Sequence, residues 1–365
     1  MKYYIIAGER SGDLHGGNLI KALKEKDSQA EIRCWGGEAM SDAEGELVVH
    51  YREMAFMGFW EVLVHIKAIK QKIKFCKEDI LSFQPDALIL IDYAGFNLRI
   101  AKFASQHNIP VHYYISPKIW AWNQKRAYKI KKFVDYMYVI LPFEKEFYNQ
   151  FDFEVDYVGN PLLDAIRAYK PNEDFQYKGQ KVIAILPGSR KQEIRAMMEN
   201  LKGIATEFPD EHFVIAGVSN LETELYEGWQ EIENVDLIFD QTYDLLSHSK
   251  AALVTSGTAT LETALFEVPQ VVVYKTGKIS FAIAKRVVKV EFISLVNLIL
   301  NKEAVRELIQ AEFNSENLKK EFQRILPGGE NREAILKDYN QLKELLGKEN
   351  TSQITADLMV ARMRK

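Results

Sequence analysis

Cysteine is nearly missing from this chain of 365 residues: only Cys34 and Cys76 occur. They cannot form a disulfide scaffold and lack the paired spacing of a zinc site, so structural thiols in a reducing compartment are expected. Charge of one sign is missing as well. The 47 basic and 51 acidic residues are intermixed and sum to −4, which excludes a global field for nucleic acid. Any polyanion must be held locally. No apolar run approaches the roughly 18 residues that cross a bilayer, so any membrane contact is expected to be peripheral. Met1 to Gly8 reads as a strand entering a turn, without the apolar core of a signal peptide, and a cytoplasmic protein is expected. Asp-x-Asp is lacking, and the seven histidines form no His-x-x-x-His or Glu-x-x-His group, so neither metal nor cofactor is expected. The P-loop and dinucleotide fingerprints are also missing, which counts against ATP and NAD.

What is present is alternation. Apolar runs at Tyr3–Ala7, Ala87–Ile91, Val111–Ile115 and Tyr136–Leu141 alternate with helical patterns near Gly17–Lys26 and Asn97–His107. The pattern restarts at Val182–Leu186, Phe213–Ala216, Val235–Phe239, Ala251–Val254 and Val271–Tyr274. Such spacing predicts an α/β protein with parallel strands and crossover helices in two doubly wound domains. The expected boundaries are residues 1–166, a polar linker at 167–180, and a second domain at 181–340. A helical segment at 341–365, with Ile354, Leu358 and Ala361 on one face, is expected to pack back on the first domain.

Open parallel sheets bind ligands beyond the carboxyl ends of their strands. Four loops there carry polar or glycine-rich sequence. Thr255-Ser256-Gly257-Thr258-Ala259-Thr260-Leu261-Glu262 follows a strand and opens a helix, the setting of a diphosphate turn, with Glu262 placed to take a ribose. Plain helix capping is the competing reading. Leu186-Pro187-Gly188-Ser189-Arg190 ends another strand, where glycine bares amides and Arg190 can meet a phosphate bidentately. Together they read as a clamp for a nucleotide-sugar diphosphate. Gly8 to Gly17 is read as a glycine-rich turn whose Glu9, Ser11 and Asp13 hydrogen-bond sugar hydroxyls, with Gly12 allowing close approach; a solvated tight turn is the alternative. Asp92, after Leu88 to Ile91, is the general-base candidate, with a loop-bracing aspartate paired to Asn97 as its rival reading. Between Phe59 and Lys77, apolar Phe59, Val62, Ile66, Ile69 and Ile73 recur at helical spacing among lysines, with Trp60 near the start. Such a face either packs on its own sheet or lies on anionic lipid.

These stretches resemble the lipid-A-disaccharide synthases, family-19 glycosyltransferases of GT-B fold, along nearly the whole chain. The carriers are Ala7 to Asp13, Met57-Gly58 with Glu61-Val62-Leu63, Ile91-Asp92 with Phe96-Asn97, and the run His112 to Arg126 with its specific Trp120-Ala121-Trp122. Leu141 to Lys145, Leu186 to Arg190, Ser256 to Glu262 and Ser294 to Leu298 complete the set. The resemblance implies two Rossmann-like domains with a cleft between them. It implies inverting, metal-independent transfer of 2,3-diacylglucosamine from UDP-2,3-diacylglucosamine to the 6-hydroxyl of 2,3-diacylglucosamine 1-phosphate, giving a β-1,6 disaccharide and UDP. In that picture Asp92 is the base, helped by Glu9 or Asp13. Gly188, Ser189, Arg190, Ser256, Gly257 and Thr258 hold the diphosphate, Glu262 the ribose, and Asn297 lines the donor site. Ser11, Gly12 and Asn97 belong to the acceptor loops. Phe59, Trp60, Leu63 and Ile66 become a contact with the inner face of the cytoplasmic membrane, since both substrates carry acyl chains; a homodimer is left open. Two departures stand out. Gly159-Asn160-Pro161 has an amide where the family often has histidine, and Asp92-Tyr93-Ala94-Gly95-Phe96-Asn97 lacks a second aspartate. The alternatives are another GT-B enzyme using UDP-GlcNAc, a glycolipid transferase or an epimerase, and a non-catalytic nucleotide-sugar binder.

Overall fold

The computed structural model describes residues 1–54, 66–188, 190–219, 221–229, 232–347 and 350–364. Phe59, Trp60, Leu63 and Ser189 lie outside them. Ile66 opens a helix, Ile66–Phe83, but its side chain is likewise outside the described set.

The chain divides into two compact units. One holds Met1–Asp164 and the C-terminal helix Thr351–Met363; the other spans Ala165–Gly347. In the first, strands β1 (Lys2–Ala7), β2 (Glu31–Gly36), β3 (Glu46–His50), β4 (Ala87–Ile91), β5 (Val111–Tyr114), β6 (Tyr136–Val139) and β7 (Asp156–Tyr157) form a parallel sheet. Their order is β3-β2-β1-β4-β5-β6-β7. In the second, β8 (Val182–Leu186), β9 (Phe213–Gly217), β10 (Val235–Phe239), β11 (Ser249–Thr255), β12 (Gln270–Tyr274) and β13 (Glu307–Ile309) run in the order β10-β9-β8-β11-β12-β13. Both orders are those of the Rossmann fold, with one reversal in the direction of winding. The reversal lies between β1 and β4 in one sheet and between β8 and β11 in the other.

Central strands form where the apolar runs are continuous because helices cover both faces. Tyr3 to Ala7 and Ala87 to Ile91 are essentially inaccessible to solvent, and each large side chain contributes roughly 1.5–3 kcal/mol by burial. Ala356, Met359 and Val360 of the C-terminal helix are buried in the first unit's core. Phe175 and Tyr177, within the stretch expected to be a linker, are instead buried in the core of the second unit.

The glycine-rich segment after β1 differs from the open turn expected. From Arg10 onward it is the first turns of a 17-residue helix, Arg10–Lys26. Its glycines are packing devices. A Cβ on Gly16 would come within 2.8 Å of the Met40 sulfur, and one on Gly17 within 2.5 Å of the Ala39 carbonyl oxygen, so the helix sits directly against Glu38–Asp42.

Candidate active site

At the first sheet's reversal, β1 runs into Gly8-Glu9 and β4 into Asp92-Tyr93. Asp92 and Tyr93 both have left-handed backbone, with φ of 42° and 50°. Two successive non-glycine residues there cost about 1–3 kcal/mol each, which surrounding contacts must offset. The Asp92 amide donates to the carbonyls of Tyr114 and Ile115, each at 3.3 Å. Asn97, on the helix Ala94–Gln106, donates through Nδ2 to the Ile91 carbonyl at 3.1 Å and the Asp92 carbonyl at 2.8 Å. The Tyr113 hydroxyl also donates to the Asp92 carbonyl. Tyr93 is tied at its far end, its hydroxyl donating to the Met54 carbonyl at 2.8 Å. Its ring lies over Gly8, where a Cβ would fall 2.3 Å from Cγ.

With its main chain held this way, Asp92 keeps its side chain for other uses. Burial first, and then the negative charge of Glu9, push its carboxyl up to about 6. Lys118 and the Tyr93 amide pull the other way. The result is a carboxylate poised near neutrality, the property a general base requires. Glu9 and Ser11 are exposed. Gly12 is buried, and a Cβ there would sit 3.2 Å from that of Ala7, so its role is close approach of helix to strand.

Asp13 is removed from the catalytic candidates. Its carboxylate accepts from the amides of Gly37 at 2.6 Å, Ala39 at 3.1 Å and Met40 at 3.1 Å, anchoring the start of the helix Glu38–Asp42. Asn97 takes a bracing role, because its amide secures the Asp92 turn. Asn160 braces backbone of its own surroundings: Nδ2 donates to the Ile140 carbonyl at 3.2 Å, and Oδ1 accepts from the Leu162 amide at 3.0 Å.

Sequence reasoning missed three contributors in this half. Tyr93 and Tyr113 fix the turn, and Lys118 supplies a cation beside the carboxylate. Buried Glu144 accepts from Trp120 Nε1 at 3.1 Å and from the Leu141 amide at 3.0 Å, with burial pushing it up to about 7. Tyr113, Lys118 and Trp120 lie in the run His112 to Arg126 that carried the resemblance, which was the available signal.

At the second sheet's reversal, β8 runs into Pro187-Gly188 and β11 into Ser256-Gly257. Gly188 has φ of +93°, and a Cβ there would lie 2.5 Å from Glu193 Oε2, so only glycine fits. Arg190 caps the helix Lys191–Glu207 with extended backbone; its side chain is 69% exposed and meets Glu193 Oε1 at 2.8 Å. Gly257 leads into the helix Thr258–Leu265, and the nearest atom to a Cβ there would be 4.0 Å away. Thr258 is exposed, whereas the Ser256 hydroxyl donates to the Ile293 carbonyl at 2.8 Å. Glu262 is held by the Tyr243 hydroxyl at 2.9 Å, and burial raises its carboxyl above the usual range.

Asn297 does not line a ligand surface. It is fully buried, its Nδ2 donating to the Val305 carbonyl and Glu307 Oε1, its Oδ1 accepting from the amides of Ala304 and Val305. Glu307 also accepts from the amides of Ile293 and Ser294, each at 2.9 Å. The pair therefore holds the 293–294 backbone against Ser256. Asn297 acts through that loop.

Two Rossmann-ordered parallel sheets in one chain, with glycine turns at one reversal and a raised carboxyl at the other, define the class: an α/β protein of GT-B fold. Solved structures agree on the fold. A UDP-GlcNAc 2-epimerase from Neisseria meningitidis aligns over 100% of both chains with TM-score 0.69 at 16% identity. A calicheamicin glycosyltransferase aligns over 100% of this chain and 98% of its own, with TM-score 0.62 at 15% identity. The profile of the lipid-A-disaccharide synthetase family matches residues 3–360, and the chain belongs to that family. The lipid-A-disaccharide synthase of Trichlorobacter lovleyi is 36% identical, covering 98% of this chain and 96% of its own. That of Geobacter sulfurreducens is 33% identical over 99% and 97%.

Proposed function

We propose that this chain transfers 2,3-diacylglucosamine from its UDP donor to the 6-hydroxyl of 2,3-diacylglucosamine 1-phosphate. The observation that carries the reading is Asp92: a carboxylate in a strained, doubly braced turn at a sheet reversal, held near pH 6, in a chain of this family.

The Asp92 carboxylate takes the proton of the acceptor 6-hydroxyl as that oxygen attacks the anomeric carbon of the donor. The bond from that carbon to the diphosphate oxygen breaks, and UDP leaves with both bonding electrons. Attack from the face opposite UDP inverts the centre and gives the β-1,6 linkage. Charge on the departing diphosphate is met by the Arg190 guanidinium and by the amides of the Gly188 and Ser256-Gly257-Thr258 turns, whose helix starts favour anions. Glu262 takes the ribose hydroxyls. Glu9, whose anion sits near enough to raise Asp92, sets the pH at which the base is available.

The acyl chains of both substrates support work at the inner face of the cytoplasmic membrane, with Phe59, Trp60, Leu63 and Ile66 as the docking face. Among the described residues no helix is long and apolar enough to cross a membrane. The helix Ile66–Phe83 shows exposed Lys67, Lys70 and Lys74, which suit an anionic surface. Flotation with phosphatidylglycerol liposomes should be lost in the Leu63→Asp, Ile66→Asp double variant; unchanged flotation refutes the docking face.

The decisive assay follows UDP release and disaccharide formation from the two acylated substrates with a chelator present. Product from wild type and not from Asp92→Asn supports the reading. UDP binding without product overturns it.

A further inference from the structure

Between Asp92 and Asp135 the sequence contains eight Lys or Arg residues and neither Asp nor Glu, although the chain as a whole carries −4. The segment after β5 starts beside the Asp92 turn, because the Asp92 amide is bonded to the carbonyls of Tyr114 and Ile115. Lys118 is exposed there. Trp122 is 43% exposed, and the Arg126 guanidinium lies over its ring, 4.6 Å from the centroid. No carboxylate within 4.0 Å pairs with Lys118 or Arg126 among the described residues.

This surface is tied down by hydrogen bonds at Trp120, Gln124 and Arg126. Trp120 is fixed below by Glu144, Gln124 Nε2 donates to the Trp120 carbonyl at 3.2 Å, and the Arg126 amide donates to the Asn123 carbonyl at 3.0 Å. A guanidinium stacked on an indole keeps its edge donors free and pre-oriented, which suits the two-point grip a phosphate takes. The positive charge of Arg126 also reaches the Tyr113 hydroxyl, which donates to the Asp92 carbonyl. A dianion approaching Glu9 and Asp92 would be repelled by both. The unpaired cations on the adjoining segment offset that repulsion while leaving the carboxylate free.

We propose that Arg126, stacked on Trp122, together with the exposed Lys118 of the same segment, seats the phosphate of the acceptor, a phosphomonoester of an acylated amino sugar, beside the Asp92 turn. This rests on the transferase reading above. The same chemistry would also fit the headgroup of an anionic membrane lipid, and the test separates the two.

Acceptor kinetics are measured in nonionic detergent micelles, without anionic lipid, for the phosphorylated acceptor and its dephosphorylated analogue. Arg126→Ala should raise the KM for the phosphorylated acceptor by about ten- to a hundredfold, the size of a lost charged contact. The KM for the UDP donor should not move, the dephosphorylated analogue should be used equally by variant and wild type, and Arg126→Lys should recover part of the loss. Equal losses on both acceptors overturn the proposal. So does a defect seen only on phosphatidylglycerol vesicles, which assigns the cations to the membrane. If Arg126→Ala does not fold, judged by its thermal transition and UDP affinity, Lys118→Met and Arg126→Gln carry the same comparison. Direct binding of the phosphorylated acceptor to Asp92→Asn protein, with and without Arg126→Ala, keeps the two readings apart. Arg126-dependent binding without wild-type turnover sinks the transferase and leaves the phosphate seat standing.

Discussion

The two sheets solve one topological problem with opposite chemistry. In each the chain returns after its third strand to the free side of its first, so two loops come together there at the carboxyl edge. In the first unit the ring of Tyr93 fills the space over Gly8, and the left-handed turn is made by Asp92 and Tyr93 under tension. In the second, Gly188 makes its left-handed turn without a Cβ, and the space over Gly257 is open. A buried carboxyl of raised pKa marks one half, and open glycine turns mark the other. Topology fixes where a site can be, while a few loop residues fix what it does.

That contrast can be broken most sharply by removing the charge from each half in turn. Asp92→Asn should lower kcat by about a hundred- to ten-thousandfold, the size of a lost general base, with UDP affinity measured by calorimetry nearly unchanged. If kcat survives, the acid half of the comparison fails. Arg190→Ala should act in the opposite sense, raising donor KM and UDP Kd by about ten- to a hundredfold, because a charged contact to phosphate is lost. A variant with wild-type UDP affinity would remove Arg190 from the clamp.

A smaller effect separates positioning from contact. Asn297→Ala deletes a buried network with Glu307 and should lower unfolding stability by about 2–4 kcal/mol, read by denaturant titration. A loss of UDP affinity with stability intact would show instead that Asn297 touches the donor.

The finest test concerns charge at the first reversal. With Asp92 near 6, activity should fall on the acid side as the base takes up a proton. Glu9 raises that carboxyl, so Glu9→Gln should lower it, and the acid limb of kcat/KM should move to lower pH. A limb that stays in place, or moves to higher pH, excludes Glu9 as the tuning charge.

Legibility followed burial. Strands β1, β4, β8 and β11 are apolar on both faces and could be read directly from the chain. Strands β3, β7 and β13 sit at sheet edges and are short or carry Glu46 or Glu307, so their apolar stretches are too brief to stand out. The glycines from Gly12 to Gly17 read as a turn because their use is to admit Ala7, Ala39 and Met40, contacts that exist only after folding. Asp13 and Asn297 were misread for the same reason. Polar residues near a motif look like ligand contacts until the amides they accept from, distant in sequence, are brought to them.

The sequence by itself determined the α/β class, the two-part organisation, the family and the strand ends where chemistry belongs. Periodicity and composition are local properties, and a specific run such as Trp120-Ala121-Trp122 needs no folding to be recognised. Tertiary structure alone decided how fully each carboxylate is tied up. Asp92 and Asp13 are equivalent as letters, yet one is surrounded by partners for its backbone and the other by partners for its carboxylate. Desolvation and hydrogen bonding act over a few ångströms, and only the fold sets those distances.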